Sequence, residues 1–330
     1  MTVASITEAS PSGGPREWGH AQWSRPLREG SVTLCLATPP VPFSVRSAGC
    51  CRRALGPRGT LAGDYASEAP IDRLVLWNID LTLVDVGRVT RVAYAEAFRR
   101  VTGRPLVQLP QMAGRIESEI FFDALALNEA AVGVPPARKH GSPGSSGSAG
   151  WTVSGSDDLL ARFTGELATS FGARRDLLAE QGRILPGAWD AVSEVARRRG
   201  VVQSLLTGTI KPNAVEKLRA FGLEGFFDFE VGGYGSEVYP KGAQLLMTRA
   251  RAAEKYGVTF DESSTVYIGD SSRDVEAARM GGARSIAVAS GRSTVGELRG
   301  AGADVVFADL ADTAAVVQAI DRLTMLRAAG

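Results

Sequence analysis

The chain has little of what several function classes require. Its 330 residues include only two histidines, His20 and His140, and three cysteines, Cys35, Cys50 and Cys51. So few histidines argue against a histidine-based metal cluster or a Ser-His-Asp triad. Three cysteines cannot staple a chain of this length, and Cys50-Cys51 has no partner ligands at zinc-site spacing. An excess of charge of one sign is also missing. Thirty-seven basic against 36 acidic side chains give a net charge of +1, which offers no electrostatic footprint for nucleic acid or an anionic membrane. No run approaches 18 consecutive apolar residues, which excludes a transmembrane helix. What is present, 44% hydrophobic and 22% charged residues, is ordinary for a soluble globular protein. At about 150 residues per domain the length suits two domains, or one with a large insertion.

The first 70 residues differ from the rest. They hold all three cysteines, no lysine and many Pro, Gly, Ser and Arg, and Pro39, Pro40 and Pro42 interrupt their best apolar run, Val32 to Val45. A secretory signal needs a basic start and an unbroken apolar segment, and Glu8, Glu17 and Glu29 count against a transit peptide. Residues 1–70 are therefore expected to be a disordered or spurious extension. With no targeting signal, the expected location is the cytoplasm.

From Ile71 onward strands and helices alternate. Leu74-Val75-Leu76-Trp77 suits a buried parallel strand. Val89, Ala93, Ala97 and Val101 recur at helical spacing, and helices are expected over 115–130 and 157–181, the latter with a stripe of Leu160, Phe163, Leu167 and Phe171. Between them, 15 of the 24 residues from Gly133 to Ser156 are Gly, Pro or Ser, so 133–156 reads as a flexible insert, with Trp151 exposed. After Pro186, strands are expected at Val201–Leu206, Asp228–Val231, Thr265–Ile268, Ser285–Val288 and Asp304–Phe307. This pattern predicts an α/β fold: a Rossmann-like parallel-sheet core from 71–85 and 186–330, with an α-helical cap domain inserted over 86–185.

Ligands of open parallel sheets bind at the carboxyl ends of the strands. The first strand leads into Asn78-Ile79-Asp80-Leu81-Thr82, the second into Thr207-Gly208, and the Thr265 strand into Gly269-Asp270-Ser271-Ser272-Arg273-Asp274. Lys241 opens a helix after Pro240. Carboxylates, a hydroxyl and an ammonium suit a phosphate bound with magnesium, a hard cation that takes oxygen ligands. Singly, each has a plainer reading. Asp270 and Asp274 could cap a helix, Thr207-Gly208 could be a turn, and Asp85 could be a helix N-terminal charge. Lys241 could be a surface lysine, although a cation is unfavourable at a helix start. Arg115 and Glu117 either face a substrate from the cap or form a solvated helix face.

In this order the four motifs resemble the haloacid dehalogenase superfamily of phosphatases, in particular its phosphoglycolate-phosphatase-like branch, over roughly residues 72–320. The family's D-x-D-x-T stands here as Asn78-x-Asp80-x-Thr82, its Ser or Thr as Thr207, its lysine as Lys241, and its G-D-x-x-x-D as Gly269-Asp270 to Asp274. The resemblance implies hydrolysis of a small phosphorylated metabolite with Mg2+. Asp80 would be the general acid and base. Thr207, Gly208 and Lys241 would hold the phosphoryl group, Gly208 by leaving its backbone N–H open to approach. Asn78, the Asp80 carbonyl, Asp270 and Asp274 would hold the metal, or Asp274 would orient Lys241. An acid at position 80 argues against a true dehalogenase.

The departure is Asn78. Where the family has the aspartate that attacks phosphorus, this chain has a neutral amide. Through it, chemistry should be impaired roughly 10³-fold or more. Ile79, bulky and β-branched, makes deamidation a slow remedy. Leu81 replaces a glycine frequent in this loop. Two further readings therefore stand beside the phosphatase: a catalytically inactive descendant that binds a phosphate ligand or a protein, and a phosphomutase.

Overall fold

The computed structural model describes residues 71–131, 153–237 and 240–324. The N-terminal extension, His140 and Trp151 lie outside these residues, as does all of the 133–156 insert except its last four positions.

In chain order the elements are β1 (Arg73–Trp77), β2 (Val84–Asp85), α1 (Gly87–Thr102), α2 (Glu117–Ala131), α3 (Val153–Gly172), α4 (Arg175–Gln181), β3 (Arg183–Ile184), α5 (Ala188–Ala196), β4 (Val201–Leu205), α6 (Lys211–Arg219), α7 (Lys241–Tyr256), β5 (Thr265–Gly269), α8 (Ser272–Gly281), β6 (Arg284–Val288), α9 (Val295–Gly300), β7 (Val305–Phe307) and α10 (Thr313–Thr324). Five strands form one sheet in the order β4-β1-β5-β6-β7, all parallel. This is a Rossmann-like α/β fold. β1 lies inside the sheet, with Trp77 in register with Leu205 on one side and Ile268 on the other.

The continuous apolar run of β1 follows from burial on both faces. Val75 and Trp77 join a core with Val266, Ile268, Ile286 and Val317. Leu74 and Leu76 join a second core with Leu245, Ala252, Phe260 and Ala277. Trp77 keeps its indole N–H satisfied by donating to Gln203 at 3.0 Å.

Four helices, α1 to α4, stand in the chain between β2 and β3. These two short strands pair antiparallel, Val84 with Ile184 and Asp85 with Arg183, so the outgoing and returning segments are tied side by side. The expected stripe is present: Phe163, Leu167 and Phe171 are buried, and Phe163 stacks on Phe121 of α2 with centroids 4.1 Å apart.

Three expectations are corrected. The helix expected over 157–181 is two, α3 and α4. The chain turns at Ala173-Arg174, which lets Arg174 reach both the Ser170 carbonyl and Glu96 of α1. α3 also begins at Val153, so 153–156 are helical rather than loop. Asp228–Val231 is not a strand. Asp228 N–H donates to Gln203 O, but the Asp228 carboxylate then accepts from Glu230 N–H at 2.9 Å and turns the backbone out of the ladder. Only an isolated bridge, Leu206 with Gly233, remains.

Candidate active site

The carboxyl ends of β1, β4 and β5 carry the site into a cavity of about 660 Å³. Asn78, Asp80, Thr207, Gly208, Lys241 and Asp270 all line it. So do Glu117 and Arg115 from the segment that opens α2, and Thr209 and Lys217. A cavity of this size accommodates a small organic ligand.

Asn78 is buried. Its Nδ2 donates to the Asp80 carbonyl at 3.0 Å, to Asp270 Oδ1 at 2.9 Å and, more weakly, towards Thr82 Oγ1 at 3.2 Å. The amide therefore turns its N–H groups, not its oxygen, towards the neighbouring oxygens. Thr82 also donates to Asp270 Oδ1, at 3.0 Å. Asp270 Oδ2 is buried with no hydrogen-bond partner. A Cβ at Gly291 would meet that oxygen at 2.0 Å, so only glycine fits beside it. Burial first, then the Asp274 charge, pushes the Asp270 carboxyl up to about 7 against the pull of Thr82 and Lys241.

Asp80 faces a different set of groups. Both its carboxylate oxygens accept from Lys217 Nζ, at 2.7 and 2.6 Å, and Oδ2 also accepts from Thr209 Oγ1 at 2.8 Å. Lys217 donates in addition to Thr209 Oγ1 at 2.9 Å. Sequence reasoning missed both Lys217 and Thr209. A lysine in the last turn of a helix reads as solvated, and the signal that could have found it is its place beside Ala214 and Leu218 on the buried face of α6. Next to Asp80, Leu81 has φ 59°, the one non-glycine residue of positive φ among the described residues. This left-handed conformation costs a leucine about 1 kcal/mol, which answers the expected glycine at that position.

Thr207, buried, accepts from Thr209 N–H at 3.2 Å. Lys241, the first residue of α7, donates to Asp274 Oδ1 at 2.6 Å and lies 5.5 Å from the Tyr267 ring centre. The anion of α8 thus offsets the unfavourable lysine at a helix start. Asp274 Oδ2 accepts from Ser271 N–H and Oγ, completing the α8 capping box. Tyr267 donates to Asp274 Oδ1 at 2.7 Å. Although burial pushes the Asp274 carboxyl up, Lys241 and these donors hold it below the usual carboxylate range. Both Asp274 oxygens are engaged inside the protein, Oδ1 by Lys241 and Tyr267 and Oδ2 by Ser271.

Gly208 also has a packing reason to be glycine. A Cβ there would meet the Arg115 carbonyl at 1.8 Å, and the Gly208 carbonyl accepts from Glu117 N–H at 3.1 Å. The glycine thus allows the loop after β4 and the α2 segment to touch backbone to backbone. Gly114 makes room for a side chain of the loop after β5, since a Cβ there would meet Ser271 Oγ at 2.3 Å. Arg115 turns to Asp123 at 2.6 Å. Asp85 accepts from Gly87 N–H at 3.2 Å and pairs with Arg183 at 2.6 Å, a helix N-terminal role.

A sequence model of haloacid dehalogenase-like hydrolases matches residues 75–279. The chain belongs to that family. No curated protein matches it. Similar solved structures include a hydrolase from Pseudomonas syringae, 20% identical, covering 75% of this chain and 99% of its own, TM-score 0.49. A predicted phosphatase from Clostridium acetobutylicum is 16% identical over 78% and 100%, TM-score 0.50. A predicted phosphoglycolate phosphatase from Haemophilus somnus is 18% identical over 74% and 98%, TM-score 0.48. At these identities the likeness concerns the fold alone.

Haloacid dehalogenase-like hydrolases generally use Mg2+. Among the described residues no group of three or more His, Cys, Asp or Glu side chains is gathered to hold a metal. The donor set still fits a hard cation at reduced charge. It comprises one carboxylate, Asp270, whose buried Oδ2 has no partner, and the Asp80 carbonyl.

Proposed function

We propose that this family member takes a small phosphomonoester into the cavity and hydrolyses it slowly, the nucleophilic step being limited by Asn78. The observation that carries the reading is the convergence of Asp80, Thr207, Lys241 and Asp270, from separate chain segments, on one cavity. Thr207 and Lys241 would bind the phosphoryl oxygens, the ammonium as a compact point charge. Asp80 would move a proton to the leaving oxygen and from water. The helices α1 to α4 would act as a cap that excludes bulk water. Asp270 and the Asp80 carbonyl would hold Mg2+, which when bound would neutralise phosphate charge.

A second reading has a specific observation behind it. The Asn78 amide donates to one oxygen that would hold the metal, the Asp80 carbonyl, and to the other carboxylate oxygen of Asp270, as expected of a protein that binds a phosphoester without turning it over. Phosphate release from a panel of phosphomonoesters with magnesium separates the two. The expected result is low activity in the native protein, at least ~10²-fold more in Asn78→Asp, and loss in Asp80→Asn. Silence in the native protein with activity in Asn78→Asp establishes the binder. Silence in both sinks the phosphatase reading.

A further inference from the structure

Glu117 opens α2 and is 5% exposed, yet it lines the cavity. Its backbone N–H is fixed on the Gly208 carbonyl at 3.1 Å, which places it one residue from Thr207 in space. Its Oε1 is buried and has no hydrogen-bond partner. The nearby cations are engaged elsewhere: Lys217 on Asp80 and Thr209, Arg115 on Asp123 and Glu119. A buried polar oxygen without a partner costs free energy that a ligand group can recover.

We propose that Glu117 is a specificity-determining residue that receives a hydroxyl group of the phosphomonoester, so that the substrate class is a hydroxylated phosphoester rather than one ending in a carboxylate or an amine. The inference rests on the phosphate reading of the same cavity. Burial raises the Glu117 carboxyl to about 8, the Lys217 charge pulling it down and the Asp80 charge pushing it up. At neutral pH it is mainly the uncharged acid, one O–H donor with acceptor oxygens. That set complements a hydroxyl, which both donates and accepts. An ammonium has no acceptor to receive the O–H. A carboxylate would bring a second anion beside Asp80, whose partner Lys217 is already engaged on Asp80 and Thr209.

The test is calorimetric binding at pH 7 of inorganic phosphate, glycerol 3-phosphate, phosphoglycolate and phosphoethanolamine to the full chain. The three esters are of similar size and differ in the distal group. The expected native protein binds glycerol 3-phosphate at least ~10-fold more tightly than the other two. Glu117→Gln, neutral and able to donate and accept, keeps that preference. Glu117→Ala reduces it to within about twofold. Equal or tighter binding of phosphoglycolate or phosphoethanolamine overturns the inference. So does a preference that survives in Glu117→Ala, or one that Glu117→Gln loses while remaining folded by circular dichroism. Phosphate binding without any ester preference defeats this inference alone, whereas failure of phosphate and all three esters to bind defeats the phosphate reading beneath it.

Discussion

Lys217 stands in the last turn of α6 with its side chain 3% exposed and its ammonium on the Asp80 carboxylate. The aliphatic stem covers apolar surface and the ring of Phe171 lies 5.7 Å from Nζ, so the charge is delivered to the cavity wall and not to solvent. Removing it leaves Asp80 with only Thr209. Breaking a fully buried pair costs several kcal/mol, but the Asp80 side chain is 40% exposed and water can replace much of the loss. Lys217→Met is accordingly expected to destabilise the protein by about 1–2 kcal/mol, measured as a lowered urea midpoint with an unchanged slope. An unchanged midpoint would mean that the pair contributes nothing to folding. The residue eluded sequence reading because nothing local distinguishes a lysine that turns inward. Asn78, by contrast, was legible as a departure, since its motif neighbours Asp80 and Thr82 mark the place where a carboxylate is expected.

The α2 segment and the loop after β4 meet through missing side chains. Gly208 lets its backbone approach the Arg115 carbonyl to a distance that no Cβ allows, while Gly114 makes room for the Ser271 side chain after β5. Gly208→Ala must therefore push Arg115 and Glu117 away from Thr207. The expected outcome is a loss of stability of about 2 kcal/mol or more together with weaker inorganic phosphate binding, read by denaturation and calorimetry. Stability and binding at native levels would show that the contact is dispensable. The strands of the sheet were legible because burial on both faces demands unbroken apolar runs, as in Leu74 to Trp77. Asp228–Val231 looked similar, but an acidic side chain that bonds its own backbone competes with the ladder. The split between α3 and α4 was hidden for a related reason: Phe171 continues the stripe of α3 and gives no sign that Arg174 will turn back towards Glu96. Contacts that depend on what arrives from elsewhere in the chain, such as Gly208 with Arg115, leave no local trace.

Over the whole molecule, two buried acids set the expected pH dependence of stability. Glu117, raised from 4.5 to about 8, and Asp270, raised from 3.8 to about 7, both owe the shift first to burial. The folded state keeps protons that the unfolded chain sheds, so between about pH 4.5 and pH 8 the unfolded state binds fewer. Stability must then fall as pH rises through this window, by at most about 1.4 kcal/mol per pH unit for each group. The contribution is fully present below the unfolded values and fully lost above the folded ones. Glu96 acts in the opposite sense. Its hydrogen bonds from Ser170 and Arg174 lower its carboxyl to about 2, so its contribution is present above about pH 4.5 and lost only in stronger acid. Urea midpoints with chelator present at pH 5, 6.5 and 8 should decline in that order, and Glu117→Gln should flatten the later part of the decline while leaving the part due to Asp270. Stability that instead rises from pH 5 to pH 8 would mean that Glu117 folds as a carboxylate paired with Lys217, and the cavity would then present an anion to its ligand rather than a neutral acid.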